Sequence, residues 1–209
     1  LLLNRNILSE KLVIEPHYLP CIDYFSLLQN AEEVKLDIHA HYERQTYRNR
    51  CHILTAHGVQ VLTIPVSKEQ SGKVSLKDIK IDHSQKWRKL HQKAITTAYN
   101  NAPFFEYYYY LFEPIYRKEF TFLIDFNVEL LTLCLKILRI KPIITFSTEY
   151  VDKYEGVSDH RNQILAKNYV PNCNIAYKQI FGEVFVNNLS IIDLIFCCGN
   201  KSQNILVVT

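Results

Sequence analysis

Glycine is scarce, with five in 209 residues. That leaves little material for a loop that wraps a phosphate, and G-x-G-x-x-G, G-x-x-x-x-G-K-[ST] and G-x-S-x-G do not occur. H-E-x-x-H is missing too, so the familiar nucleotide-binding, hydrolase and zinc-protease classes lose ground. Long apolar runs are also lacking: the longest contain charges, and Leu1-Leu2-Leu3 is cut off by Asn4 and Arg5. Neither a uniform membrane span nor a signal-peptide core is expected. There is no methionine, not even an initiator, which is unusual for this length. An excess of charge is lacking as well. Lys and Arg number 24 against 21 Asp and Glu, a formal charge of +3 that is too small to imply a nucleic-acid partner. The six cysteines (Cys21, Cys51, Cys134, Cys173, Cys197 and Cys198) form no C-x-x-C pair and no regular framework. Reduced thiols in a cytoplasmic protein, without a structural zinc, are the expectation.

The composition is that of a globular chain, 48% hydrophobic and 22% charged, with no linker or repeat, so residues 1–209 are expected to form a single domain. Lys11 to Glu15 reads as a strand ending at Pro16, Ile22 to Ala31 has helical spacing, and Glu33 to Ile38 alternates like a strand. That order is a βαβ unit with a parallel pair. Arg50 to Thr55 and Val59 to Val66, split by Ala56-His57-Gly58, predict a hairpin that extends the sheet in antiparallel fashion. A polar loop is expected over Lys68 to Lys77, and a short strand at Ile79 to Ile81. Helices are predicted at Ser84 to Tyr99 and Phe122 to Leu138, flanking an aromatic segment, Phe104 to Lys118, that Pro114 interrupts. Further on, the pattern predicts a strand near Ile143 to Phe146, a helix near Asp159 to Asn168, and a helix capped by Ser190 and stopped by Gly199. The fold class is therefore α/β: a mixed sheet begun by a βαβ unit and packed by several helices.

Four constellations can carry chemistry. His17 sits in the turn after the first strand, where open α/β sheets form their ligand crevice; it either touches a substrate or hydrogen-bonds backbone. In Tyr47-Arg48-Asn49-Arg50, preceded by Arg44, an extended chain would set three guanidiniums on one face. Such a row is an anion cradle, or else a charged strand edge that resists aggregation. Asp37-x-His39-x-His41 has the letters of a metal site, but an exposed strand end gives the same letters, and no metal is assigned. His91, within reach of Trp87, is a core histidine or a base beside an aromatic wall. His17 and His91 are thus the candidate catalytic residues, and Tyr47, Arg48, Asn49, Arg50 and Trp87 the candidate binding residues.

The string Glu15-Pro16-His17-Tyr18-Leu19-Pro20 with Asp23-Tyr24-Phe25, followed by Arg44 to Cys51, resembles the WbqC-like family. Trp87-Arg88-x-x-His91, Ala98-Tyr99-Asn100, Pro103 to Tyr108 and Asn188 to Phe196 resemble its later blocks in the same order, so the likeness runs from about Leu12 to Leu206. This sequence departs from the pattern at His39 and His41, and in a shortened segment before Asn188. The resemblance implies a role in bacterial surface polysaccharide (O-antigen) synthesis, with glycine or another aminoacyl group transferred to a sugar. It brings no established catalytic residues and no cofactor. The expected partner is a small anionic ligand, a nucleotide sugar or an acyl donor, held by Arg48 and Arg50, with His17 or His91 as general base. The alternative is a non-catalytic binding or scaffold protein of envelope biosynthesis.

Overall fold

The first strand, β1 (Glu10–Ile14), pairs in parallel with β2 (Ala31–Leu36), and α1 (Ile22–Asn30) crosses between them. Leu12, Val13 and Ile14 are all buried. A stretch covered on both faces is expected to be continuously apolar rather than alternating, and Leu12 to Ile14 are. The computed structural model describes residues 10–67, 74–166, 170–171 and 176–206. Two more parallel strands complete the sheet: β5 (Ile143–Phe146) beside β2, and the two-residue β6 (Ser158–Asp159) beside β1, in the order β5-β2-β1-β6.

The chain is α/β, with both parallel and antiparallel pairing, begun by a βαβ unit and packed by helices. The hairpin, β3 (Arg50–Thr55) with β4 (Gly58–Thr63), has the expected antiparallel register. It stands as a two-stranded sheet of its own, however, and does not extend the first. Gly58 turns its corner at φ +99°, a backbone state that side chains disfavour. Only isolated bridges form at Lys80 and Ile81, so the short strand expected there is absent, and a 3-10 turn occupies Leu76–Asp78. Most of the polar loop predicted before it, residues 68–73, lies outside the described residues.

Four helices, α2 (Trp87–Tyr99), α3 (Phe105–Arg117), α4 (Leu123–Leu138) and α5 (Ile191–Cys198), pack on one another, and α5 also touches α1 and β3. Pro114 does not split α3, since it lies in the last turn of a single helix. Among the described residues no helix is long and apolar enough to cross a membrane.

Two local expectations fail for identifiable reasons. The helix near Asp159 to Asn168 is absent. Asp159 closes β6, its carboxylate accepts the Arg161 backbone N–H and clasps that side chain, and Asn162 turns left-handed at φ 56°. Ser190 precedes α5 but does not cap it, because its hydroxyl donates to the Leu19 carbonyl at 2.8 Å. That bond matters locally: Leu19 is left-handed (φ 40°), a state costing about 1–2 kcal/mol for such a residue, and Ser190 helps hold it. The backbone of Leu189 and Ile191 bonds Ile22 and Pro20 on either side, so the start of α5 clamps the turn that carries His17.

Candidate functional site

Each parallel strand hands a polar residue to the same end of the sheet. Glu15 follows β1, Asp37 follows β2, Ser147 follows β5, and Asp159 ends β6. Glu15, Asp37 and Ser147 are nearly or fully buried. The carboxyl ends of such strands are where α/β sheets open their crevice, and chain order places β2 on one side of β1 and β6 on the other, the kind of divergence that leaves a gap.

Buried carboxylates need donors, and here they have them. Asp37 is fully buried. It accepts the backbone N–H groups of His39 and Ala40 at 3.1 and 3.0 Å, the Ser147 hydroxyl at 2.9 Å, and Arg161 Nη1 at 2.8 Å. Arg161 is saturated in turn. Its remaining donors go to both oxygens of Asp159 and to the carbonyls of Val151 and Asp152, and the guanidinium lies 4.7 Å from the centre of the Tyr154 ring. The metal-like spacing of Asp37, His39 and His41 therefore has another explanation. β2 ends at Leu36, Asp37 closes a turn, and the ring of His41 stacks on Tyr150 at 4.7 Å.

Glu15 is the second node. His17 Nε2 and Arg48 Nη2 lie 3.3 and 3.5 Å from the same oxygen, Oε1, and the Asn162 backbone N–H donates to the carboxylate. Burial by itself would raise the Glu15 carboxyl; His17 and the positive charge of Arg48 outweigh it and hold the group down at about 2. Arg48 is only 1% exposed. Its Nη2 donates to Asn162 Oδ1 at 2.6 Å, its carbonyl accepts from Asn127 on α4 at 2.7 Å, and its Nε is buried with no acceptor. His17 Nδ1 is likewise buried and unpartnered.

Arg48 and Asn162 form part of the wall of a cavity of about 570 Å³, with His41, Tyr150, Asp152 and Tyr154 among the other residues around it. Of the sequence candidates Arg48 lines it, while His17, Tyr47, Asn49, Arg50, Trp87 and His91 do not. Arg44 and Arg48 lie in turns, so the single extended arginine face is not formed; only Arg50 is on a strand. The three arginines still act together on the phenol of Tyr42, which burial raises and their charges lower. Asn49 gives its amide to the Ile64 carbonyl at 2.8 Å. Tyr47 packs its ring 5.7 Å from that of His17 and holds His52 at 3.4 Å.

Trp87 and His91 join an aromatic core with Phe126, their rings 5.3 Å apart. His91 Nδ1 lies 2.8 Å from the Tyr18 hydroxyl, which lies 2.6 Å from that of Tyr116. Burial lowers His91 to about 4, so it is neutral at neutral pH. Cys21 and Cys51, the thiols nearest the motifs in sequence, are buried and pushed well up, and so are poor nucleophiles. The five described cysteines are free; Cys173 lies outside the described residues.

Sequence reasoning passed over Glu15, Ser147, Asp159, Arg161 and Asn162, and weighed Asp37 only as a metal ligand. The signal that could have found most of them was positional, a polar residue at the carboxyl end of every parallel strand.

The profile of the WbqC-like protein family matches the chain at residues 15–174 and 162–205, a span that includes all of these residues. A protein of Mycobacterium tuberculosis named "Uncharacterized protein Rv1507c" is 26% identical over 223 residues, covering 93% of this chain and 96% of its own length. No solved structure matches the chain.

Proposed function

The chain belongs to the WbqC-like protein family, and on that premise we propose that it is a cytoplasmic transferase, acting as a single domain, that moves an acyl or aminoacyl group onto a sugar during surface polysaccharide assembly. One observation carries the reading. Arg48 is a buried guanidinium in a cavity wall, and its Nε has no acceptor. A buried donor left unsatisfied costs about 1–3 kcal/mol, and an anionic substrate in the cavity would remove that cost.

In the proposed reaction an amine or hydroxyl of the sugar attacks the carbonyl carbon of an activated donor, an acyl phosphate or thioester. The new C–N or C–O bond replaces the bond to the leaving group, which departs with its electron pair. The attacking group's proton leaves with the departing phosphate or thiol, and His17, buried and outside the cavity lining, is assigned to hold Glu15. Arg48 and Arg50 hold the anionic part of the substrate, and Tyr47 and Asn49 brace that loop. His91 and Trp87 are assigned to the packing behind it, because His91 is already engaged by Tyr18. With Cys21 and Cys51 buried, direct transfer is favoured over a covalent enzyme intermediate.

Thermal shift with acetyl phosphate, acyl thioesters and nucleotide sugars tests the reading, since a ligand bound only by the folded state raises apparent stability. Stabilisation by a donor or an acceptor, lost in Arg48→Ala, is expected. A protein indifferent to every small molecule but retained by an envelope-synthesis partner would replace this reading with the scaffold alternative.

A further inference from the structure

The start of α2 carries charge of the wrong sign for a helix. Its N-cap is Lys86 and its first turn holds Arg88 and Lys89 with no carboxylate, although the helix macrodipole already makes that end positive. Arg88 is paired, to Glu119 at 3.0 Å, and donates to the Lys118 carbonyl. Lys86, Lys89 and, one turn on, Lys93 are exposed, and among the described residues they have no ion-pair partner. No Asp or Glu occurs anywhere in α2. Cations that weaken their own helix and go unpaired within the chain suit an anion outside it.

Leu90 sits among these lysines and is 63% exposed. Lys86, Leu90, Lys93 and Thr97 recur at helical spacing and form one outward stripe. Arg88 reaches Lys118 just past the end of α3, so the two helices run antiparallel, and α3 lies along one flank of the stripe. There it presents Tyr107 and Tyr110, 71% and 62% exposed. Arg117 and Glu113 neutralise each other, and Glu106, in the first turn of α3, stands at the end away from Lys86. On the other flank the β3–β4 turn meets α2. A cavity of about 330 Å³ opens between them, lined by Ala56, His57 and Gln60 from the hairpin and by Leu90 and Lys93.

We propose that the outward face of α2 and α3 is a docking surface for an anionic lipid bilayer. Lysine stems lie along apolar surface while their ammonium groups meet lipid phosphates, Leu90 enters the acyl boundary, and the tyrosine rings rest at headgroup depth. A nucleic acid or an acidic protein would take up the charge of the lysines but has no apolar phase for Leu90. The surface is separate from Arg48 and its cavity, and it stands whether or not that cavity is a transferase site.

Flotation of the full chain with vesicles of phosphatidylcholine alone, or of equal parts phosphatidylcholine and phosphatidylglycerol, tests it. The chain is expected to float with the anionic vesicles and not with the neutral ones, and salt should weaken the association. A combined Lys86→Ala, Lys89→Ala, Lys93→Ala variant should lose about a hundredfold in partitioning, since each lysine near an anionic surface is worth about a factor of five. A Lys136→Ala, Lys141→Ala, Lys201→Ala variant removes the same charge from exposed positions outside α2 and α3, and should partition nearly as the wild type does. Leu90→Gln with Tyr110→Gln should weaken vesicle binding several-fold while leaving binding to heparin, a polyanion without an apolar phase, as it was. All the substituted side chains are exposed, and circular dichroism establishes that each variant is folded. No flotation with anionic vesicles, or equal loss in the two lysine variants, overturns the proposal. Full vesicle binding by the Leu90→Gln, Tyr110→Gln protein overturns it as well, and points to a soluble polyanion such as a nucleic acid instead.

Discussion

His17 and Arg48 rest on one atom, Oε1 of Glu15, at 3.3 and 3.5 Å. All three side chains are almost wholly buried, so removing the carboxylate charge strands a guanidinium in the interior. Glu15→Gln should destabilise the fold by about 3 kcal/mol in urea denaturation. In an Arg48→Met background the same substitution should cost much less, because no buried cation remains to be countered. Equal costs in the two backgrounds would show that Glu15 and Arg48 are not coupled.

Acid should weaken the fold in two stages. His91 has a folded value of about 4 against an ordinary 6.5, so as pH falls below 6.5 the unfolded chain takes up the proton first. Stability is then lost between pH 6.5 and 4, by a total of about 3 kcal/mol, after which this group adds nothing further. Glu15, held at about 2 against 4.5, stabilises fully above its unfolded value, and that contribution drains away as pH falls from 4.5 toward 2. His91→Gln keeps a partner for the Tyr18 hydroxyl and should flatten only the first stage. Urea midpoints at pH 7 and pH 4.5 measure this, and an unchanged difference in the variant would refute it.

Much of the fold is legible in the sequence because periodicity reports burial. The βαβ opening, the hairpin, α2, α4 and β5 all stand within a few residues of where their apolar spacing places them. What failed was decided by partners distant in sequence. Nothing local to Asp159 announces a two-residue strand beside β1, and nothing in Ser190 announces a hydroxyl committed to Leu19 rather than to α5. The site divides in the same way. Arg48 and His17 stood out by residue type, but Glu15 read as an ordinary charge and Asp37 as a metal-like letter until the sheet aligned their strand ends. Arg161 became visible only once Asp37, 124 residues away, was its partner.

Two glycines should respond differently to alanine. A Cβ at Gly199, where φ is +57° at the end of α5, would meet the Phe104 ring at 2.5–2.7 Å, so strain adds to overpacking and a loss of about 1–3 kcal/mol is expected. Gly58 has φ +99° but nothing within 4 Å, leaving conformational strain alone. Thermal unfolding of both variants should rank Gly199→Ala as the more damaging, and the reverse order would contradict the packing described around α5.

The central claim is that Arg48 binds the anionic part of a substrate, and calorimetric titration of acetyl phosphate into the wild type, Arg48→Ala and Arg48→Lys tests it most directly. Loss of one charged hydrogen-bonding group should weaken binding by about 1.5–3 kcal/mol in Arg48→Ala. Arg48→Lys, which keeps the charge and loses the fork, should fall between the two. Circular dichroism on the same samples establishes that each variant is folded. Wild-type affinity in a folded Arg48→Ala would contradict the claim.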